Sequence, residues 1–154
     1  FHQKSVRVFM KLSTKSRYGL RAIIDIARAY GSGIPAKRKE ISENQGISGS
    51  YLENILIVLK NSRIIETTRG MNGGYVLCKP PEEITVLEVL NALEGPLDLV
   101  DCVSSSDKCS NTSHCVTRTV WMEMSQLWEK YLGSLTLKDL VDKGEYVNVS
   151  NYSI

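Results

Sequence analysis

The sequence has no uninterrupted apolar run long enough to cross a bilayer, and its start does not follow the charged-then-apolar pattern of a secretory signal. Those absences point away from a membrane protein and from an exported one, and lead to the expectation of a cytoplasmic protein. No internal repeat is found, which excludes solenoid and propeller architectures. No Gly-rich nucleotide-binding motif, no nucleophile–base pair and no second set of cysteines stands out, so an enzyme is not expected. Cysteine is scarce, with 4 in 154 residues. Without an export signal these thiols are expected in a reducing compartment, where disulfides are uncommon and metal or redox roles gain weight.

What is present is an apolar content of 42%, enough for a compact core, and a charge that is unevenly placed. Residues 1–81 hold 14 Lys and Arg against 5 Asp and Glu, whereas residues 82–154 hold 5 against 12. A basic half joined to an acidic half is the pattern of a polyanion-binding module fused to a different one. Phe1 to Phe9 carry no helical pattern and precede Met10, so residues 1–9 are expected to be a leader or an appended remnant, with Met10 the natural start.

Ser13 or Thr14 is placed to cap a helix reaching about Tyr30, with Leu20, Ile23, Ile24 and Ala27 on one apolar face. A short helix is expected from about Ala36 to Asn44, followed by the tight turn Gln45-Gly46-Ile47. Ser48 then caps a third helix with Leu52, Ile55, Leu56 and Leu59 as its buried stripe. Two helices separated by a Gly-containing turn read as helix-turn-helix. The β-rich run Ile64 to Thr68, the segment Arg69-Gly70-Met71-Asn72-Gly73-Gly74 and the run Tyr75 to Leu77 predict a hairpin, with Asn-Gly as the turn signal. A hairpin in that place is a wing. Beyond Pro80-Pro81, Thr85 caps a helix that ends at Gly95-Pro96, and a polar stretch follows from Asp101 to His114. A long helix is expected from Val116 with Val120, Trp121, Met124, Leu127, Trp128 and Tyr131 on one side. Thr136 caps a short last helix, and nothing patterned follows Gly144. The expected fold is mainly α with a small β-wing.

A recognition helix keeps one face in the core and offers short polar side chains to the major groove. The third helix leaves Ser48, Ser50, Tyr51, Glu53 and Asn54 for that purpose. Glu53 has the chemistry to accept from cytosine N4, and Asn54 to pair with adenine. Arg69, placed at the hairpin tip, suits the minor groove or a phosphate. Lys15, Arg17, Lys37, Arg38 and Lys39 are candidate phosphate contacts. Double-stranded DNA is therefore the expected partner.

Cys102, Cys109 and Cys115 lie in a polar stretch too poor in apolar residues to fold by burial alone. Three thiols in one loop suit a thiophilic metal, zinc or an iron–sulfur cluster. The intervals of six and then five residues are unlike a zinc ribbon. Cys78, at the end of the wing, reads as a small apolar filler.

Met10-Lys11-Leu12-Ser13-Thr14-Lys15-Ser16-Arg17-Tyr18 resembles the opening of the IscR/NsrR/CymR group of winged-helix, iron–sulfur cluster regulators. Gln45-Gly46-Ile47-Ser48-Gly49-Ser50-Tyr51-Leu52-Glu53 and Arg69-Gly70-Met71-Asn72-Gly73-Gly74-Tyr75 resemble its recognition helix and wing, and Leu137-Lys138-Asp139-Leu140-Val141 its last helix. The resemblance covers about residues 10–143. It implies a winged helix-turn-helix over 10–81, and a dimerisation region over 82–143 that contains the cysteine loop 101–115. A tail would occupy 144–154. It also implies a homodimer joined by the long helix from Val116 and bound to a two-fold symmetric operator. The family's base-reading positions fall on Ser50 and Glu53, and its wing positions on Arg69 and Met71, where Pro is common in the family.

By the same resemblance Cys102, Cys109 and Cys115 hold an iron–sulfur cluster, [2Fe–2S] favoured over [4Fe–4S]. One residue is inserted between the first two cysteines relative to the family's commonest spacing. Arg118, which cannot ligate, stands where some members have a histidine ligand. The fourth ligand stays open among His114, Asp101, Asp107 and a group from the partner subunit's N-terminal region. A regulator of the same family without a cluster, a cluster-binding redox protein and a zinc-stabilised adaptor are the alternatives.

Overall fold

The computed structural model describes the backbone of residues 12–151 apart from Cys109 and Thr112, and the side chains of these residues except 104, 108 and 146–151. The expected leader 1–9, with Met10 and Lys11, lies outside the described residues, as does Cys109. Among the described residues there are seven helices and one two-stranded antiparallel sheet. In chain order they are α1 (Thr14–Arg28), α2 (Arg38–Gln45), α3 (Gly49–Asn61), β1 (Ile65–Thr68), β2 (Gly74–Leu77), α4 (Val86–Glu94), α5 (Asp101–Ser104), α6 (Val116–Ser134) and α7 (Leu137–Asn151).

Local chemistry sets the boundaries of the first three helices. Ser13 caps α1, its hydroxyl accepting from the Ser16 N–H at 3.2 Å. The buried face of α1 centres on Ala22, Ile23, Ile26 and Ala27, so Leu20 and Ile24 of the expected stripe lie at its margin. Helix α2 begins at Arg38 rather than near Ala36 because the Ala36 backbone is used elsewhere. Its N–H donates to the Tyr75 carbonyl at 3.0 Å and its carbonyl accepts from the Tyr75 N–H at 2.8 Å, adding a bridge to the wing. Gly46 ends α2 in the left-handed conformation (φ 61°), where a side chain would be strained. Ser48 then caps α3.

The hairpin forms, but not around the expected two-residue turn. Ile65 pairs with Leu77 and Thr68 with Gly74, leaving the loop Arg69 to Gly73 between them. The left-handed residue is Gly70 (φ 107°), and the Gly73 N–H closes back on the Gly70 carbonyl at 3.0 Å. Asn72-Gly73 signals the hairpin without forming its turn.

The core runs without a break across Pro80-Pro81. Ile23 and Ile26 of α1, Leu52, Ile55 and Leu59 of α3, and Ile64, Ile65 and Leu77 of the wing pack in one cluster with Ile84, Val89, Leu93 and Leu137. Fully burying each Leu or Ile is worth about 1.5–3 kcal/mol, so this cluster is the main stabilising feature. The second half is therefore anchored on the first. Within the second half, two backbone hydrogen bonds tie the entry of α4 to the entry of α7, from the Val86 N–H to the Leu135 carbonyl at 2.8 Å and from the Leu137 N–H to the Ile84 carbonyl at 2.9 Å.

Two readings of the sequence are corrected here. Cys78 is exposed, not an apolar filler, because the chain leaves the sheet at that residue. The last helix is not short but continues to Asn151. Gly144 does not stop it, since it lies against the Arg28 guanidinium of α1, where a Cβ would stand 2.8 Å from Nη2. Tertiary contact overrides the weak helix propensity of glycine.

Candidate nucleic-acid interface and cysteine loop

Helix α3 buries Leu52, Ile55, Leu56 and Leu59, which fixes its roll and turns Ser50, Glu53 and Asn54 to solvent. Ser48 is exposed, with its hydroxyl accepting from the Tyr51 N–H at 3.4 Å. Tyr51 is half-buried and meets the Tyr18 ring edge-on, centroids 6.0 Å apart. No acidic residue occupies the first turn of α3, so its N-terminal N–H groups remain free of a competing anion.

Helix α2 contributes charge. Lys37 is its N-cap residue, and Arg38 and Lys39 follow, all exposed. Cations at a helix N-terminus oppose its macrodipole, and only Glu40 in the first turn offsets them. A phosphate there would complement both. Arg38 donates to Glu53 at 2.7 Å, so two of the expected DNA-contacting side chains are brought together across the helix-turn-helix. Lys39 is 3.9 Å from Glu43 on the same helix. On α1, Arg17 is exposed and Lys15 half-buried. Arg69 is exposed, but it follows β1 directly, and the turn closed by Gly70 and Gly73 carries Met71 at 97% exposure.

Two cations here escape a reading of sequence alone. The Arg21 side chain lies 5.4 Å above the Tyr18 ring and donates to the Gln45 side chain at 3.0 Å and to the Gln45 carbonyl. It thus braces the turn before α3, a role that requires a tertiary contact 24 positions away. Arg63 is exposed in the turn between α3 and β1, with a left-handed backbone (φ 56°). The Ile64 N–H donates to the Leu59 carbonyl at 3.1 Å around it, closing α3 in the manner usually given to glycine.

In the cysteine loop, Asp101–Ser104 forms the short helix α5, and Ser106–Lys108 a single 3₁₀ turn. Cys102 and Cys115 are half-buried, and His114, Asp101 and Asp107 are exposed. Arg118 joins the two ends of the loop: its Nε donates to the Cys102 carbonyl at 2.9 Å. Cys115 is the N-cap residue of the 19-residue α6. Its thiol is held below the ordinary range, first by a hydrogen bond with Thr117, 3.1 Å away, and then by the Arg118 N–H. Cys78 goes the other way, its thiol pushed up by partial desolvation and by Glu66.

Helix α6 buries only Ser125 and Leu132. Val116, Val120, Met124, Leu127, Trp128 and Tyr131 stay exposed, Leu127 at 68%. Among the described residues no helix is long and apolar enough to cross a membrane.

Comparison with known proteins gives a consistent picture. Residues 12–143 match the family Rrf2, described as an iron-dependent transcriptional regulator. The chain is 41% identical to the protein rrf2 of Nitratidesulfovibrio vulgaris over 132 residues, covering 86% of this chain and 87% of that one. It is 35% identical to the HTH-type transcriptional regulator IscR of Pectobacterium atrosepticum, covering 92% of this chain and 85% of IscR. Its fold superposes on CymR, the global cysteine regulator of B. subtilis, with a TM-score of 0.74 at 33% identity, over 87% of this chain and 98% of that one.

Proposed function

The chain belongs to the Rrf2 family of DNA-binding transcriptional regulators, and from that premise we propose that it acts as a homodimer whose grip on a two-fold symmetric operator is tuned by an iron–sulfur cluster at Cys102, Cys109 and Cys115. The observation that carries this reading is the join made by Arg118, which ties the cysteine loop to the head of α6, the helix with the uncovered apolar face.

The α6 stripe gives the dimer its interface, and dimerisation fixes the separation of the two α3 helices. Operator half-sites one turn of DNA apart require about 34–36 Å between recognition helices, so small changes at α6 are felt as changes in affinity. Ser50, Glu53 and Asn54 face base edges. Ser48, Tyr51, Lys15, Arg17, Lys37 and Arg38 position the backbone, and Arg69 and Met71 enter from the wing.

The donor chemistry suits iron, with a thiol eased toward thiolate at Cys115, a second thiol at Cys102 and the Arg118 cation near Cys115 to balance anionic sulfur. Among the described residues no three ligand side chains are gathered together, so a cluster would have to draw the loop around itself. Bound there, a cluster supplies a reversible, thiolate-anchored core whose presence or loss reports on iron and oxidants. The [2Fe–2S] form is favoured, with His114, Asp101, Asp107 and a group from the partner subunit's N-terminal region as candidates for the fourth position. A cytoplasmic location accords with this chemistry.

The test is an absorption spectrum with iron and sulfide analysis on protein purified without oxygen. We expect a coloured protein that is bleached by Cys102→Ala, Cys109→Ala or Cys115→Ala, with operator affinity that changes when iron is removed. A colourless, iron-free protein after reconstitution would overturn the cluster and favour a cluster-free regulator, the reading supported by Arg118 in place of a histidine.

A further inference from the structure

Glu94 is the last residue of α4, at the negative end of that helix's dipole, where a carboxylate is unfavourable. Its position is explained by α1. One carboxylate oxygen, Oε1, accepts from the Ser13 N–H at 2.9 Å and from the Ser16 hydroxyl at 2.7 Å. Ser16 is fully buried whereas Glu94 is exposed, so this second bond lies at the edge of the core, partly buried. Burial pushes the Glu94 carboxyl up, but the hydrogen bonds from Ser13 and Ser16, with help from Lys15, outweigh it and hold it below its ordinary value. One turn along, Leu93 packs so closely on Gly19 that a Cβ there would stand 2.4 Å from Cδ1. The two helix ends are locked by a carboxylate and by a close apolar contact, side by side.

The first turn of α1 carries Lys15 and Arg17, the cations of this helix proposed above to grip phosphate. We infer that Glu94 is a positioning residue for DNA binding: its carboxylate fixes the first turn of α1 so that Lys15 and Arg17 are held in register with the phosphate backbone. The inference rests on the reading of Lys15 and Arg17 as phosphate contacts. It carries a counter-intuitive sign. By charge alone, removing an anion beside Lys15 should tighten binding to a polyanion. As a positioning residue, its removal should weaken binding.

The experiment measures operator affinity across a salt series for the full chain and for Glu94→Ala, Glu94→Gln and the pair Lys15→Ala with Arg17→Ala. Each phosphate contact contributes about 0.9 to the slope of log affinity against log salt. We expect Lys15→Ala with Arg17→Ala to lower the slope by about 1–2, and Glu94→Ala to lower it in the same direction with affinity several-fold weaker. Glu94→Gln, whose amide oxygen still accepts both hydrogen bonds, should rescue most of both. Amide exchange in residues 13–17 should speed up in Glu94→Ala and not in Glu94→Gln, with secondary structure intact by circular dichroism. Glu94→Ala binding as tightly as the parent or more tightly, with an unchanged slope, overturns the inference while the Lys15 and Arg17 contacts stand. If the double variant also leaves the slope unchanged, α1 does not grip phosphate and the inference falls with that reading.

Discussion

Helices α3 and α6 each turn one side away from the body of the protein, and the two sides are chemically opposite. In α3, 13 residues bury four side chains, and what remains exposed at its N-terminal end is Ser50, Glu53 and Asn54. In α6, 19 residues bury two, and what remains exposed includes Leu127, Trp128 and Tyr131. A polar face over a satisfied apolar stripe is stable in water alone and acquires meaning only beside a polar partner. An apolar face without a cover stands apart from ordinary scattered surface hydrophobics, because its residues are contiguous along the helix. In the proposed function the first face would supply specificity and the second association energy.

The largest effect should follow from placing a charge on the α6 face. Leu127→Glu would bury an unpaired carboxylate in any dimer formed there, and substitutions at such interface centres cost about 2–4 kcal/mol. We expect sedimentation to show monomers at concentrations where the parent is dimeric, and operator affinity to fall by about 100-fold or more. Helix content should be unchanged, since Leu127 is largely exposed in the monomer. A dimer that survives Leu127→Glu would break the comparison, because α6 would then be covered by something else.

A smaller and more selective effect is expected on α3. Asn54→Ala should relax base preference at one operator position by about 1–3 kcal/mol, while Lys37→Ala should weaken all sequences alike and lower the salt slope by about 1. The Arg38–Glu53 pair sharpens the test. Both partners are about half exposed, at 49% and 52%. Breaking the pair therefore changes stability by no more than about 1 kcal/mol. Its consequence should show in the competition between cytosine and other bases opposite Glu53, read from binding to operators that vary at that position. Uniform loss across all variants in Asn54→Ala would mean that α3 positions and does not read.

The first four helices were legible because local signals agree: Ser13, Ser48 and Thr85 cap α1, α3 and α4, Gly46 and Gly95 end α2 and α4, and the stripe of α3 is buried as its spacing requires. Less legible were features set by distant partners. The start of α2 depends on the bridge from Ala36 to Tyr75, and the extension of α7 past Gly144 depends on Arg28. Neither partner is near in sequence. Of the candidate site, the exposure of Ser50, Glu53 and Asn54 follows from helical period, whereas the place of Met71 at the turn, with Arg69 beside β1, required the folded hairpin. The pairing of Arg38 with Glu53, and the bracing by Arg21 and Glu94, required the folded chain.

The smallest expected effect concerns the frame that both faces share. Glu94 holds the start of α1, and Asp139 caps α7, its Oδ2 accepting from the Thr136 N–H and hydroxyl, both at 2.9 Å. Both carboxyls are depressed below their ordinary values of 4.5 and 3.8, Asp139 first by the Thr136 backbone bond. In acid the unfolded chain therefore binds more protons than the folded one at these two positions. The stability they contribute is complete above their unfolded values and is lost as pH falls through the folded ones. Urea midpoints measured at a series of acid pH values should rise with pH in that window, and Glu94→Gln and Asp139→Asn should each flatten part of the rise. The dimer should not respond to either substitution, because neither residue lies on α6. An unaltered acid slope in both variants would show that other carboxylates carry it. A change in dimer dissociation in Glu94→Gln would instead show that the frame and the association face are coupled.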